Sequence, residues 1–241
     1  MSSLGVDVEA SRPDVLRLSE VFDSLQGEGV NAGKPCRFVR LALCNLRCHY
    51  CDTKYSWDFE RYDYDKEVRE ASLDAVAEQL CTAPARHVVI TGGEPLLQQR
   101  ALTQVLERVP EDVFIEIETN GTRVPAPALL ARVNQWNVSP KLSSAGDTEA
   151  LRIRPEALLA LRDSGRAYLK LVVKTEQDRD EAEALRERFG FARERTMLMP
   201  EAATREELDA RSADVAAWSQ ALAVRFGSRL HISLWGGRRG T

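Results

Sequence analysis

From Ser72 onward the sequence alternates between short apolar runs and longer segments whose apolar residues recur at helical spacing. Short strands separated by helices of this length are typical of repeated βα units around a parallel sheet. The predicted strands are 87–91, 113–119, 135–138, 167–174, 196–199 and 230–235, and the predicted helices are 72–80, 95–109, 126–133, 154–164, 175–189 and 204–226. No Ser/Gly-rich linker interrupts the alternation, so we interpret residues 1–241 as one α/β domain with a flexible tail over residues 1–14.

The part of the chain before Ser72 lacks this alternation. Residues 15–26 are predicted to be extended, and three glycines within residues 26–33 predict a tight loop that exposes backbone groups. Residues 36–43 are apolar and β-rich, and they lead directly into a group of cysteines. Residues 58–70 are charged without a regular period, so we interpret them as a solvated connection or a mobile lid.

Polar turns marked by glycine or proline follow several of the predicted strands. In parallel βα folds the loops at the carboxyl ends of the strands lie at one rim and carry the chemistry. We therefore expect one functional site, built from the turns at residues 44–53, 91–95, 118–121, 139–141 and 199–201.

The first of these turns contains three cysteines, Cys44, Cys48 and Cys51, within eight positions. Thiolates bind zinc or iron–sulfur clusters, and a structural zinc site normally takes four protein ligands. Three thiols on a 4Fe–4S cluster would leave one iron open to a small-molecule ligand, which favours chemistry over a structural role. A zinc site completed by His49 or Cys36 is the alternative.

The remaining two cysteines have structural interpretations. Cys36 alternates with Phe38 and Arg40 on one face of a predicted strand, and Cys81 lies at the end of a predicted helix, so each is expected to pack as a small apolar side chain. Five cysteines, three of them clustered, are unlike a disulfide framework and favour a reducing cytoplasm.

Composition argues against two classes of partner. The formal net charge is −4, from 33 basic and 37 acidic residues, so no bulk basic field supports nonspecific binding of nucleic acid. No apolar run approaches the ~20 residues of a membrane-spanning helix, and the N-terminal residues lack a secretory core. We therefore expect a cytoplasmic protein that acts on a small molecule.

The cysteine spacing, the aromatic Tyr50 before the last cysteine and the GGEP turn at 92–95 resemble the radical S-adenosylmethionine (SAM) superfamily. Further motifs resemble the 7-carboxy-7-deazaguanine synthase family, and they are SLQGEG at 24–29, FVRL at 38–41, CDTKYSW at 51–57 and VSPK at 138–141. The resemblance extends in order from Ser24 to Met199. It implies an incomplete (β/α) barrel of the radical SAM type, with about six parallel strands and an N-terminal extended segment.

The same resemblance implies a lyase that depends on a 4Fe–4S cluster, SAM and Mg²⁺ and has no catalytic side chain of its own. Cys44, Cys48 and Cys51 would hold the cluster, SAM would chelate the fourth iron, and one electron would cleave SAM to a 5′-deoxyadenosyl radical. That radical would abstract hydrogen from 6-carboxy-5,6,7,8-tetrahydropterin, whose ring contracts with loss of ammonia to give 7-carboxy-7-deazaguanine. The family also implies a homodimer, an electron donor such as flavodoxin or ferredoxin, and a step in queuosine or 7-deazapurine biosynthesis.

The resemblance also assigns residues to the substrate and to Mg²⁺. Thr53 would ligate Mg²⁺, and the pterin would be bound by Leu25, Gln26, Gly27, Glu28, Arg40 and Thr91. The guanidinium of Arg40 suits a carboxylate, and Glu28 suits the N–H edge of an aminopyrimidinone ring. The structural alternatives are an ion pair for Arg40, a loop cap for Thr53 and a simple turn for residues 26–28.

For SAM the resemblance implies contacts from several strand ends, namely Gly93, Glu118, Ser139, Pro140, Lys141, Met199 and Pro200. Gly93 would act through its backbone. Met199 departs from the polar side chain typical of the family, which leaves backbone contacts there, and Glu118 has a rim ion pair as its alternative. Residues 236–241 either fold over the substrate or lie disordered.

Two other functions fit less of the sequence. Another radical SAM enzyme, such as a glycyl-radical activase, would not need the 26–28 segment or Arg40. A noncatalytic binding module stabilised by zinc would use the cysteines alone.

Overall fold

The computed structural model describes residues 14–241, so the predicted tail at residues 1–14 lies outside the described residues except for Asp14. In this part of the chain nine strands form one sheet, and they are β1 (Val15–Leu25), β2 (Pro35–Leu41), β3 (Arg69–Ser72), β4 (His87–Gly92), β5 (Phe114–Thr119), β6 (Gln135–Val138), β7 (Ala167–Val173), β8 (Thr196–Pro200) and β9 (Arg225–Phe226). Their order is β3-β1-β2-β4-β5-β6-β7-β8-β9.

The strand directions confirm an incomplete (β/α) barrel with an extended N-terminal segment. β1 pairs antiparallel with β2 and β3, whereas every neighbouring pair from β2 to β9 is parallel. Six parallel strands, β2 and β4 to β8, form the centre, and the two-residue β9 adds a short seventh. β3 and β9 are the opposite ends of the strand order among the described residues, so the sheet is open.

Helices cover the sheet and bury its apolar strands. They are α1 (Tyr64–Glu67), α2 (Leu73–Cys81), α3 (Gln99–Leu106), α4 (Pro127–Arg132), α5 (Glu149–Arg152), α6 (Pro155–Asp163), α7 (Glu176–Phe189), α8 (Arg205–Ala221) and α9 (Leu230–Trp235). The main core joins strand residues such as Ile90, Ile117 and Leu171 to helix residues such as Leu102 and Leu185. Full burial of such side chains stabilises the fold by roughly 1.5–3 kcal/mol each.

Side-chain caps mark the residues at which α2 and α7 begin. The hydroxyl of Ser72, the residue that precedes α2, accepts a hydrogen bond from the N–H of Ala75 at 3.3 Å. Thr175 and Asp178 form a capping box at the start of α7. The helix predicted at 95–109 is shorter than expected, because its first turn is a 3-10 turn and α3 ends at Leu106.

Residues 58–70 are not simply the solvated connection that the sequence suggests. They contain α1, whose first turn is capped by Asp63, and they lead into β3. β3 pairs with the start of β1, from Val15 opposite Ser72 to Leu18 opposite Arg69. The charged composition fits an edge strand, which is exposed to solvent and needs protection from further pairing.

The prediction for the C-terminal segment is wrong. The helix predicted over 204–226 ends at Ala221, and the left-handed backbone of Ala223, with φ of 52°, turns the chain into β9. Residues 230–235, predicted as a strand, form α9.

The misleading signal was the alternation of Leu230, Ile232 and Leu234. Only Ile232 of the three is buried, and it packs with Ala202 and Leu208. One buried apolar residue in the segment is compatible with a short helix, which ends at Gly236 in the left-handed conformation.

The structural interpretations of Cys36 and Cys81 are confirmed. Cys36 is buried with Phe38 and Val89, and burial raises the pKa of its thiol to about 12. Cys81 is the last residue of α2 and packs against the main core. Among residues 14–241, none of the helices has both the length and the apolar character needed to cross a membrane.

Candidate active site

A cavity of about 220 Å³ opens where the parallel strands end. All the residues that the sequence assigned to the cluster, Mg²⁺ and the substrate line it, and these are Leu25, Gln26, Gly27, Glu28, Arg40, Cys44, Cys48, Cys51, Thr53 and Thr91. Of the residues assigned to SAM, the cavity lining includes Gly93, Glu118, Ser139, Lys141 and Met199 but not Pro140 or Pro200. These residues come from β1, β2, β4, β5, β6 and β8 or from the loops that follow those strands, and they converge on one space.

The three thiols lie in one apolar part of this cavity. We call Cys44, Leu46, Cys48, Tyr50 and Cys51 the thiol region; they pack together around Ala145. Backbone anchoring holds the loop, since the N–H of His49 donates to the carbonyl of Ala145 at 3.0 Å.

Two N–H groups already point at the sulfurs of the thiol region. The backbone N–H of Leu46 donates to Cys44 Sγ at 3.5 Å, and the indole N–H of Trp57 donates to Cys51 Sγ at 3.3 Å. Burial raises the pKa values of the Cys44 and Cys48 thiols, so they stay neutral until a positively charged metal centre replaces their protons. Three thiols on one loop that faces the cavity, two of them with N–H donors, therefore fit a 4Fe–4S cluster.

The zinc alternative finds no fourth ligand. Cys36 lies in a separate apolar cluster, and His49 is exposed with its ring against Gly146. Within residues 14–241 no three His, Cys, Asp or Glu side chains are grouped to hold a single metal ion. This arrangement is compatible with an iron–sulfur cluster, because thiols that bind separate irons of one cluster lie farther apart than thiols that bind one zinc ion.

The GGEP turn packs against the start of the cysteine loop. The N–H of Gly93 donates to the carbonyl of Leu41 at 3.0 Å, and the N–H of Glu94 donates to that of Leu43 at 2.8 Å. A Cβ atom on Gly93 would lie 1.9 Å from Leu43 O and 3.0 Å from Cys44 Cβ, so only glycine fits. The N–H of Gly93 is engaged in the first of these hydrogen bonds. Its carbonyl oxygen is an acceptor, so it is the group of Gly93 that suits the ammonium of SAM.

Glu94 is a fully buried carboxylate that ties the end of β5 to the same loop. Its oxygens accept from Thr119 Oγ1 at 2.8 Å, from the N–H of Asn120 at 2.7 Å and from the N–H of Leu96 at 3.0 Å. Asn120 Nδ2 then donates to Asn45 Oδ1 of the cysteine loop at 3.1 Å. Burial raises the pKa of Glu94, and the polar contacts show a structural role for this motif carboxylate.

Thr53 lies beside the last thiol and does not act as a side-chain cap. A 3-10 turn follows it at Lys54–Ser56, and its side chain makes no capping hydrogen bond there. Its backbone carbonyl accepts from Ser56 Oγ at 2.8 Å, whereas its own Oγ1 lies 3.6 Å from Cys51 Sγ.

A second part of the cavity is ionic. We call Glu28, Asp52, Lys170 and Arg229 the ionic region. Lys170 Nζ lies 2.5 Å from Glu28 Oε2, and Arg229 Nε lies 3.0 Å from Glu28 Oε1, while Arg229 also pairs with Asp52. These contacts join β7, the glycine loop, the cysteine loop and the residue preceding α9.

The charges of the ionic region stabilise one another. Burial by itself would raise the pKa of Glu28, but Lys170 and Arg229 outweigh it and hold that pKa well below its usual range. Burial would lower the pKa of Lys170, but Glu118 and Glu28 raise it above its ordinary value. Both side chains are therefore ionised at neutral pH.

Glu118 forms the rim ion pair that was its structural alternative, with Lys170 Nζ 3.7 Å from its Oε1. It also accepts from Thr91 Oγ1 at 3.1 Å and from Gln26 Nε2 at 3.4 Å. Gln26 is anchored more tightly below, donating to the buried Glu116 Oε1 at 2.6 Å. Glu118 thus contacts residues predicted for the substrate.

Gly27 is a glycine because a side chain from the C-terminal segment occupies the adjacent space. A Cβ atom there would lie 2.3 Å from Nδ1 of His231, which also lines the cavity. The N–H of Leu230 donates to the carbonyl of Gly27 at 2.8 Å. The segment that was mispredicted as a strand therefore closes one side of the site.

Arg40 makes the ion pair that was its structural alternative, and it still lines the cavity. Its Nε donates to Glu20 Oε2 at 2.9 Å, and Tyr55 OH donates to the same oxygen at 2.8 Å. Arg239 also pairs with Glu20, and its guanidinium lies 3.8 Å from the centre of the Tyr55 ring. The C-terminal tail is thus folded over the rim, and Thr241 lines the cavity.

The remaining predicted SAM residues are placed by β6 and β8. Lys141 Nζ donates to Ser139 Oγ at 3.1 Å, and the N–H of Ser139 donates to the carbonyl of Thr119 at 2.8 Å. Met199 is buried at the end of β8.

Sequence reasoning missed several cavity residues. Lys170 carried a signal, because a lysine inside the apolar strand 167–173 must have a reason to be buried. Trp57 was part of a quoted motif without a role. Arg229 and His231 had no local signal, since only the tertiary fold brings them to the cavity.

Comparisons with known proteins agree with this site. The Radical SAM superfamily matches residues 40–196. A 7-carboxy-7-deazaguanine synthase of Pyrobaculum aerophilum is 40% identical, over 93% of this chain and 97% of the relative. That of Halobacterium salinarum is 38% identical, over 91% of this chain and 90% of the relative. The crystal structure of QueE from Escherichia coli superimposes with a TM-score of 0.66 at 26% identity, over 96% of this chain and all of that one.

These matches extend beyond the cysteine loop to nearly the whole chain, so they contradict a glycyl-radical activase and a zinc-binding module. Membership of the radical SAM superfamily implies a 4Fe–4S cluster and SAM, which the thiol region fits, and a reductant that supplies the electron. The chain belongs to the 7-carboxy-7-deazaguanine synthase family of the radical SAM superfamily.

Proposed function

We propose that this chain is a lyase that converts 6-carboxy-5,6,7,8-tetrahydropterin to 7-carboxy-7-deazaguanine and ammonia, a step of queuosine or 7-deazapurine biosynthesis. The observation that carries the proposal is that one cavity joins three clustered thiols to an amide, a hydroxyl and a carboxylate, from Gln26, Thr91 and Glu118. These groups can satisfy the N–H and C=O edge of a flat pterin ring. Family membership supports the same reaction.

The cofactors would be held by the thiol region and its neighbours. When bound, the cluster and SAM supply abstraction of a hydrogen atom from the substrate. Cys44, Cys48 and Cys51 would hold the cluster, the carbonyl of Gly93 would accept from the ammonium of SAM, and Ser139 with Lys141 would bind the rest of SAM. No side chain of the protein needs to break a bond of the substrate, because the role of the protein is to orient the substrate.

The substrate carboxylate would be received between Arg40 and a Mg²⁺ ion. Arg40 is held in place by Glu20, which engages its Nε. Thr53 Oγ1 is a hard oxygen ligand beside the thiol region and suits Mg²⁺, which prefers oxygen and keeps several waters. Glu28, Gln26, Leu25 and Gly27 form the loop that lies against the pterin ring.

The remaining features of the proposal concern partners and surroundings. The five cysteines are all free, which supports a reducing cytoplasm. We infer an electron donor such as flavodoxin or ferredoxin, a homodimer, and no nucleic-acid or membrane partner. The single sheet from β3 to β9 supports one domain.

Product identification tests this function. The chain is reconstituted anaerobically with iron and sulfide and incubated with SAM, reductant, Mg²⁺ and 6-carboxytetrahydropterin. We expect a product with the mass and absorption of 7-carboxy-7-deazaguanine, and one ammonia per product. A tetrahydropterin without the carboxylate is the control and should not react. Turnover of a different substrate with the pterin unchanged would contradict the assignment, as would zinc binding without acid-labile sulfide.

A further inference from the structure

Trp57 has no role in the function proposed above, yet its indole reaches a cluster ligand. Its Nε1–H donates to Cys51 Sγ at 3.3 Å, and the ring lines the cavity. The chain contains four tryptophans, Trp57, Trp136, Trp218 and Trp235, and among the described residues only Trp57 lines this cavity.

The position of Trp57 is built by its backbone. The 3-10 turn Lys54–Ser56 reverses the chain, and the N–H of Trp57 donates to the carbonyl of Lys54 at 3.0 Å. Ser56 is fully buried, and its carbonyl accepts from the N–H of Leu43 at 2.8 Å. The turn is therefore fastened to the end of β2, and it brings the indole back to a sulfur six residues earlier.

A cation lies over the same ring. The guanidinium carbon of Arg47 is 6.0 Å from the centre of the Trp57 ring, at the outer range of a cation–π contact. A positive charge on the ring face favours donation by the N–H, because it draws electron density away from it. Arg47 is itself oriented through its backbone N–H, which donates to Asp147 Oδ2 at 3.0 Å.

Hydrogen bonds to cluster sulfurs set the reduction potential of an iron–sulfur centre. The reduced cluster carries one more negative charge, which is partly located on the sulfurs. An N–H donor stabilises this form more than the oxidised form, and so it makes reduction easier. Cys51 Sγ also lies 3.6 Å from Thr53 Oγ1, which is a longer contact than the 3.3 Å from the indole nitrogen of Trp57.

We propose that Trp57 tunes the potential of the 4Fe–4S cluster by donating its indole N–H to Cys51, and that it is a positioning residue rather than a catalytic one. The inference rests on the proposed function, because it requires a cluster on Cys51. A donor at this sulfur brings the cluster within reach of a protein reductant of moderate potential.

The test compares two Trp→Phe variants in the reconstituted full chain. Trp57→Phe removes the N–H and keeps an aromatic ring. Trp218→Phe is the matched control, because Trp218 also lies under an arginine, with Arg179 5.7 Å from its ring, but outside the cavity. Iron and sulfide are measured first, and the midpoint potential is then read from the EPR signal of the reduced cluster. We expect a full cluster in both, a more negative potential in Trp57→Phe and the wild-type potential in Trp218→Phe.

If Trp57→Phe does not bind the cluster, the inference is tested by a measurement on the wild-type chain. Wild-type protein that carries ¹⁵N in its tryptophan indoles is reduced, and pulsed EPR should detect a coupling between this ¹⁵N and the cluster. The same coupling should appear in Trp218→Phe. An unchanged or more positive potential in loaded Trp57→Phe overturns the inference, and so does the absence of ¹⁵N coupling. A wild-type chain that binds no cluster overturns the proposed function itself, and this inference with it.

Discussion

The thiol region and the ionic region share one cavity but are stabilised in different ways. The thiol region packs through apolar contacts and presents three sulfurs without a charged partner among the described residues, and burial raises the pKa values of the Cys44 and Cys48 thiols. The ionic region pairs two carboxylates with two cations, so its formal charges cancel before any ligand arrives. The thiols of the first region therefore need a cofactor as their partner, whereas the charges of the second region are already paired within the protein.

This difference predicts where each kind of mutation acts. Removing a thiol should abolish cluster binding and leave the fold intact, because a small apolar side chain can be replaced without leaving a charged group unpaired. Removing a member of the ionic region should cost stability, because it leaves a buried charge without its partner.

The largest effect is expected from Cys51→Ser. The variant should lose the cluster and all turnover, because a serine hydroxyl is a poor ligand for iron in place of a thiolate. Iron and acid-labile sulfide analysis after anaerobic reconstitution measures the loss, and urea unfolding of the apo chain should match wild type. Cys81→Ser, at the C-terminal end of α2 and outside the cavity, is the control and should retain the cluster. If the Cys51→Ser protein still binds a full cluster, Cys51 is not a cluster ligand.

Glu28→Gln should produce the largest loss of stability. It leaves Lys170 and Arg229 with one paired carboxylate fewer, which costs about 3 kcal/mol when a buried pair is broken. Urea unfolding at pH 7 measures this loss. Glu149→Gln, which removes an exposed ion pair with Arg188, is the control and should change little. Equal effects of the two variants would show that the ionic region is not a stabilising unit.

The pH dependence sharpens the same contrast. The pKa of Glu28 is depressed in the folded chain from its ordinary value of 4.5, so its contribution is complete above that pH and is lost as the pH falls toward the folded value. Wild-type stability should therefore decrease below about pH 4.5, and Glu28→Gln should show a shallower decrease. Parallel curves from pH 7 to pH 3 would contradict this assignment.

Arg40→Ala should weaken pterin binding by about 2 kcal/mol, or roughly 30-fold in Kd, because a charge-assisted contact is lost. Anaerobic calorimetry of the cofactor-loaded chain provides the measurement. Arg37→Ala is matched to it, since Arg37 is on the same strand and pairs with Asp23 outside the cavity. Unchanged affinity in Arg40→Ala would mean that its ion pair with Glu20 is its whole role.

The smallest effect is expected from Thr53→Val, which should raise the Mg²⁺ concentration for half-maximal activity on the order of tenfold, equivalent to one lost neutral contact. Thr53→Ser keeps the hydroxyl and should behave as wild type. If the Mg²⁺ titrations of Thr53→Val and wild type coincide, Thr53 is not a ligand.

Much of this organisation was predictable because it depends on local patterns. Apolar runs of strand length predicted β4 to β8, and the turn residues after them predicted the rim. The cysteine spacing and the GGEP turn predicted the thiol region, since ligands on one short loop are close in any fold. Around residues 222–235 the local pattern failed, because one buried residue, Ile232, does not distinguish a strand from a helix.

By itself the sequence determined the parallel βα order, the three thiols and the glycine at position 93, since each follows from neighbouring residues. Only the tertiary structure decided the ionic region, the packing of His231 against Gly27 and the hydrogen bond from Trp57 to Cys51. Arg229 meets Glu28 across 201 positions of the chain, and a buried charge can select such a distant partner only when the fold has excluded water around both.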